Sequence, residues 1–283
     1  MASKALAKRF GLASDTPLRR IIASGDGEVG TGKTYFGLTL PDPLVVFNID
    51  NGLEGVVEQF RSEGREIYEE KYEWVPQDVD PDATEGKEAE DLQDLAKEVR
   101  AKFKKDIFYA MKNGARSLFL DTESRMWQAF RYAEFGSPNA GNPKDYDELN
   151  QGFESFIHKV KSSNDPVNLY LARSMKDQWG NFGKVNNQGV RGFGKGGRET
   201  WGYEHLPGMM GIELTFLQLS EKSEVRKELE EEWGEGTCEF VIRIGKNRYN
   251  NAENKLAFTY IPRCTFPELG VMLYPDSERS DWE

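Results

Sequence analysis

The chain has 283 residues and 32.2 kDa, enough for one large core or one core with a small appendage. Hydrophobic residues make up 38% and charged residues 30%, with no run of eighteen apolar residues and no apolar signal core in the first fifteen, so a membrane span and a secretory leader are not expected. The net charge of -11 argues against a surface that coats nucleic acid indiscriminately, and two cysteines with only two histidines, His158 and His205, exclude a disulfide framework or a zinc site from expectation.

In chain order, residues 1–19 read as an N-terminal arm, with Ala5, Leu6 and Phe10 on one face of a helical turn or two and Pro17 ending it. Arg20–Gly25 is a short apolar strand running into a glycine-rich loop. Lys33–Leu40 is a brief helix stopped by Pro41 and Pro43. The near-continuous apolar run Leu44–Asp50 suits a strand buried on both faces of a parallel sheet. An acidic insertion follows at about 62–90, with a short β segment near Tyr72–Val75. Leu92, Leu95, Val99, Phe103, Ile107 and Met111 recur at helical spacing and predict a helix over Glu88–Asn113, closed by Gly114. Ser117–Asp121 is a second buried strand. Helices over Trp127–Phe135 and Leu149–Lys161 flank a turn-rich loop at Pro138–Pro143, and Val167–Ala172 is the next strand. Residues 175–198 are glycine-rich and polar and read as a long loop. Then come an ordered turn at Leu206–Met210, a strand at Ile212–Leu219, a charged segment at Glu221–Glu235 and a strand at Cys238–Ile244. The last apolar segments are Lys255–Ile261 and Val271–Tyr274, before a frayed, solubilising acidic tail at 276–283. Helices separate the early strands while the later ones follow closely. The expected fold is α/β: a mainly parallel central sheet with helices on both faces and mixed C-terminal strands, in one core over 20–275.

Gly27, Glu28, Val29, Gly30, Thr31, Gly32, Lys33 and Thr34 match G-x-x-x-x-G-K-[ST] without a gap, between a strand and a helix as that motif requires. Glycines let successive backbone N–H groups curl inward around phosphate oxygens, and the helix start that follows, including Tyr35, adds favourable potential for negative charge. In this pattern Lys33 reaches the β- and γ-phosphates of a nucleoside triphosphate, and the Thr34 hydroxyl ligates Mg²⁺. Asp121 ends an apolar strand at the sheet's C-terminal edge, where a carboxylate holds the same ion or its hydration shell. Two carboxylates compete as the group that orients the attacking water: Glu54, just after the strand ending at Asp50, and Glu123. Glu28 lies inside the loop, where its charge would repel a triphosphate unless it points away.

The order and content of these segments resemble the RecA-like ATPases, especially the small phage-encoded recombinases of the single-strand-annealing type, over about residues 20–260. The matching features are Asp50 to Glu54 after the second strand, Asp121–Thr122 at the end of another, Arg173 or Ser174 at the place of a γ-phosphate sensor, and Lys246 and Arg248 in Val241–Arg248. The resemblance implies an ATP- and Mg²⁺-dependent ATPase that assembles into a homo-oligomer. Lys246 and Arg248 would then act in trans at a neighbouring subunit's nucleotide. It also implies a cytoplasmic location, in a phage-infected host cell. The chain departs from the family at Gly52, where a catalytic glutamate is usual. Residues 173–198 carry Arg173, Lys176, Lys184, Arg191, Lys195 and Arg198 interleaved with Trp179, Phe182 and Phe193, a composition suited to single-stranded DNA. The alternative is a nucleotide-dependent assembly or regulatory protein that uses this segment on protein partners.

Overall fold

The computed structural model describes residues 19–74, 87–137, 146–180, 194–249 and 259–283. The apolar runs become strands whose alternate side chains serve two different cores. In β2 (Leu44–Asn48), Leu44 and Val46 face one side and Phe47 the other; in β4 (Ser117–Asp121), Phe119 opposes Leu118 and Leu120. The strand β5 (Asn168–Gly180) does the same with Tyr170 and Ala172 against Leu169 and Leu171. Continuous hydrophobicity is what a sheet covered on both faces demands.

The covers differ in kind. On one face lie α3 (Lys87–Lys112), α4 (Glu123–Phe135) and α5 (Tyr146–Ser162), packed through Phe103, Phe130, Phe153 and Phe156 in edge-to-face rings 5.1–6.2 Å apart. On the other lie α1 (Lys33–Leu38), α2 (Val57–Ser62) and α8 (Phe266–Leu273), centred on Phe36, Phe60 and Phe266. Between them in sequence come α6 (Leu206–Met209) and α7 (Glu224–Trp233).

Among the described residues, nine strands form the sheet. With β1 (Ile22–Gly27), β3 (Ile67–Lys71), β6 (Gly194–Thr200), β7 (Ile212–Gln218), β8 (Phe240–Asn247) and β9 (Tyr260–Pro262), the order is β3-β2-β4-β5-β1-β7-β8-β9, with β6 paired to β5 alone. All pairings from β3 to β7 are parallel, and β7–β8, β8–β9 and β5–β6 are antiparallel. The expected α/β architecture, with helices on both faces and antiparallel strands at the C-terminal side, is the one observed.

Two expectations require correction. Residues 175–180 and 194–198 are not loop: β5 runs on past Ala172 to Gly180 and folds back as β6, from Met175↔Thr200 to Gly180↔Gly194. A two-stranded ribbon satisfies its own backbone along the hydrogen-bonding edge, so glycine and polar content did not preclude it. The tail is also not frayed. Arg279–Trp282 forms a 3₁₀ turn, and Trp282 is 2% exposed, its indole N–H donating to Ser277 Oγ at 2.8 Å. The ring lies on Gly270, where an added Cβ would come within 2.4 Å of it. The charged segment at 221–235 is largely the exposed helix α7, and Val271–Tyr274 falls mainly within α8. Residues 1–18, 138–145, 75–86 in the middle of the acidic insertion, 181–193 with Phe182, Lys184, Arg191 and Phe193, and most of Lys255–Ile261 lie outside the described residues. Among the described residues no helix is long and apolar enough to cross a membrane.

Candidate nucleotide site

Register brings the site together before any side chain is considered. Gly27 at the end of β1 lies beside Ser174 of β5, and Asn48 at the end of β2 lies beside Asp121, with Ile49 N–H donating to the Asp121 carbonyl at 2.8 Å. The C-terminal ends of β1, β4 and β2, with Ser174 midway along β5, therefore share one edge, where loops of a parallel sheet gather ligands.

The loop from Gly27 turns through Gly30 and Gly32, whose φ values of 81° and 95° are in the left-handed region that suits glycine. An added Cβ at either would meet nothing within 4 Å, so the backbone conformation, not crowding within the chain, requires glycine there. Thr31 Oγ1 donates to the Glu28 carbonyl at 2.8 Å and pins the turn. Glu28 and Gly30 are exposed, and Val29 at the crest is 98% exposed. Lys33 is buried, and its ammonium donates to the carbonyls of Gly27 and Glu28 at 2.8 and 2.7 Å. Burial lowers its pKa, against the opposing charges of Asp121, Glu28, Asp26 and Asp50.

Thr34 begins the helical turn that projects its hydroxyl across to β4, where Oγ1 donates to Asp121 Oδ2 at 3.0 Å. Asp121 is almost fully buried. Burial raises its pKa to about 6, the Thr34 bond pulls the other way, and the nearby Asp50 charge raises it further. Gly52 faces the same carboxylate, since a Cβ there would lie 3.5 Å from Asp121 Oδ2. Glu54 is exposed in the turn that follows, before α2.

Glu123 is placed quite differently. It has no exposed surface, accepts the Tyr203 N–H at 2.9 Å on Oε1, and sets Oε2 3.6 Å from Arg173 Nε. Arg173, 3% exposed, also lies 3.4 Å from Asp26 Oδ1 and donates to the Tyr203 carbonyl at 3.3 Å. It is therefore part of a buried cluster and does not belong to any cationic surface of the ribbon, contrary to expectation. Burial raises the pKa of Glu123 to about 7, with Arg173 and the Tyr203 N–H opposing, and raises that of Asp26. Ser174, the other sensor candidate, donates its backbone N–H to Ser124 Oγ at 2.9 Å.

No family model matches the chain, and no curated protein matches it. Among solved structures, it is similar to an ATPase from the type III secretion system of pathogenic bacteria, at 13% identity and a TM-score of 0.41, over 75% of this chain and 53% of that one. The chain thus spans about half the length of that protein.

Lys246 and Arg248 are not brought to the loop. Lys246 lies near the end of β8 and Arg248 directly follows it; Lys246 pairs with Glu213 and Asn247 with Ile212, beside the start of β1. That is the opposite edge of the sheet. Lys246 Nζ donates to the Pro207 carbonyl at 2.5 Å and lies 3.4 Å from Glu213 Oε1, while Arg248 is exposed. Lys161 lies close enough to Arg248, Lys246 and Arg20 for their charges to lower its pKa, after burial. The sequence pattern marked Asp50 at the loop's edge but not Arg125 or Asp26. Asp50 follows an apolar strand and opens the acidic motif noted in the sequence. Arg125, 3.5 Å from Asp50 Oδ1 and set over the Trp201 ring at 5.3 Å, and Asp26 carried no recognisable pattern.

Proposed function

We propose that this chain is a Mg²⁺-dependent nucleoside triphosphatase of the RecA-like kind, with ATP as a substrate. The observation that carries the reading is the bond from Thr34 Oγ1 to Asp121 Oδ2, which joins the glycine-rich loop to a carboxylate 87 positions away. A hydroxyl and a carboxylate, with Asp50 close by, form an oxygen donor set suited to a hard divalent ion whose other ligands are water and phosphate. Thr34 and Asp121 would hold Mg²⁺, which when bound neutralises charge on the phosphates. Lys33 would exchange its carbonyl partners for phosphate oxygens, and the loop from Gly27 to Tyr35 would supply backbone donors. Exposure favours Glu54 over Glu123 as the carboxylate that orients water, because both oxygens of Glu123 are enclosed by Tyr203, Arg173 and the Gly202 backbone.

Lys246 and Arg248 sit too far round the sheet to serve their own loop, which supports their acting on the site of a neighbouring copy. The ribbon β5–β6 is the proposed single-stranded DNA element, with Lys176 exposed at its base. The phage recombination role follows from the sequence resemblance. Phosphate release measured with and without a single-stranded oligonucleotide, across a salt series, tests this part. Stimulation that fades as salt rises is expected. Normal turnover with no DNA binding at low salt would favour the protein-contact alternative.

A further inference from the structure

Beside the phosphate loop, on the side away from Asp121, lies a cavity of about 390 Å³. Gly30 and Gly32 line it, and Tyr35, Phe216, Phe240 and Ile242 are part of its apolar wall. Tyr35 is 46% exposed and Phe240 40% exposed, unusual for large rings in a chain that buries most of its aromatics. The volume is in the range of small-molecule pockets, about 300–1,000 Å³. Its contact with the glycines places it within reach of whatever is attached to phosphates held in that loop.

The polar groups of the wall are already engaged. Thr31 Oγ1 donates to Glu28, Cys264 Sγ to the Thr265 carbonyl, and Thr265 bonds Glu268 Oε2 through both its N–H and its hydroxyl, at 2.7 and 2.9 Å. Val241 and Ile242 are paired on both sides within the sheet. What remains among the described side chains is the Tyr35 hydroxyl, which donates or accepts alike, and the exposed guanidinium of Arg263, which makes a 3.4 Å bond to the Gly236 carbonyl. A guanidinium only donates. A single donor from it reaches N7 of either purine; a bidentate approach to O6 and N7 would favour guanine, and the bond to Gly236 instead draws one of its terminal nitrogens to the backbone.

We propose that this cavity is the nucleobase subsite and that it holds the base by its faces, without reading its edge. The chain then binds ATP and GTP with similar affinity. The inference rests on the phosphate loop reading proposed above and adds to it the location and the selectivity of the base.

Calorimetric titration of the full chain with ATP, GTP and inorganic tripolyphosphate, each with Mg²⁺, tests this. The two nucleotides are expected within about threefold of each other, a difference well below that of one base-reading contact. Phe240→Ala should weaken both by about tenfold, the loss of one stacking contact, and leave tripolyphosphate unchanged. Tyr35→Ala provides a second, independent truncation, and Phe240→Trp should retain affinity. Tripolyphosphate binding also shows that the loop in each variant is intact. A difference of more than about 30-fold between GTP and ATP, in either direction, would overturn the proposal, being what an edge-reading contact produces. So would unchanged nucleotide affinity in both truncations. Wild-type protein that binds none of the three ligands would instead sink the phosphate loop reading, and this subsite with it.

Discussion

Lys33 bonds two carbonyls of its own loop, so binding a phosphate exchanges one set of oxygen partners for another and does not require desolvating a free ammonium. The buried group formed by Asp26, Arg173 and Glu123 is balanced differently, with two carboxylates around one guanidinium. The raised pKa of Glu123 means the folded state holds a proton that the unfolded chain releases. The associated stability is complete below 4.5, the ordinary glutamate value, and is lost as pH rises through about 7. Glu123→Gln leaves one carboxylate per guanidinium and keeps an acceptor for the Tyr203 N–H. Without nucleotide or metal, this variant should melt higher than wild type above pH 7 and show a flatter pH profile between these values. Equal melting temperatures across that window would contradict the account of the cluster. Cys264 illustrates the same physics in a thiol: burial pushes its pKa far up, and with Cys238 also buried, neither should react with a thiol reagent until the protein unfolds.

Elements differ in how much of them the chain announces. The strands delivering Asp50 and Asp121 were legible because a sheet covered on both faces needs unbroken apolar runs, and α3 because its apolar residues recur at helical spacing. The phosphate loop was legible because positive φ and a lysine at fixed offset are local requirements. The ribbon and the C-terminal turn were not, because they depend on partners distant in sequence: β5 needs β6, and Trp282 needs the bare face of Gly270. Glu123 and Glu54 were indistinguishable in sequence for the same reason, since only the Thr200–Tyr203 segment buries one of them. Gly270→Ala tests the docking of the turn. The added methyl overlaps the Trp282 ring and is expected to destabilise the fold by about 1–3 kcal/mol in denaturant titration. A change below about 0.5 kcal/mol, the range of inconsequential substitutions, would mean that the turn does not pack as described.

At the scale of the molecule, the phosphate loop and the pair Lys246 and Arg248 occupy opposite edges of one sheet. A contact joining the two is heterologous, so it generates a ring or a filament and not a two-fold dimer. Chains carrying Lys33→Ala keep these cations, and chains carrying Lys246→Ala with Arg248→Ala keep the loop. Each should be inactive alone, and mixing them should restore part of the turnover; no recovery in mixed assemblies would remove the case for a trans contact. The most direct measurement of the central claim is Mg²⁺-dependent phosphate release from ATP by wild-type protein, Lys33→Ala and Asp121→Asn. The account predicts turnover in the wild type and a loss of at least about 100-fold in each variant, comparable to removing one preorganised electrostatic group, with the fold retained by circular dichroism. Turnover in folded variants equal to wild type, or none in the wild type, would contradict it.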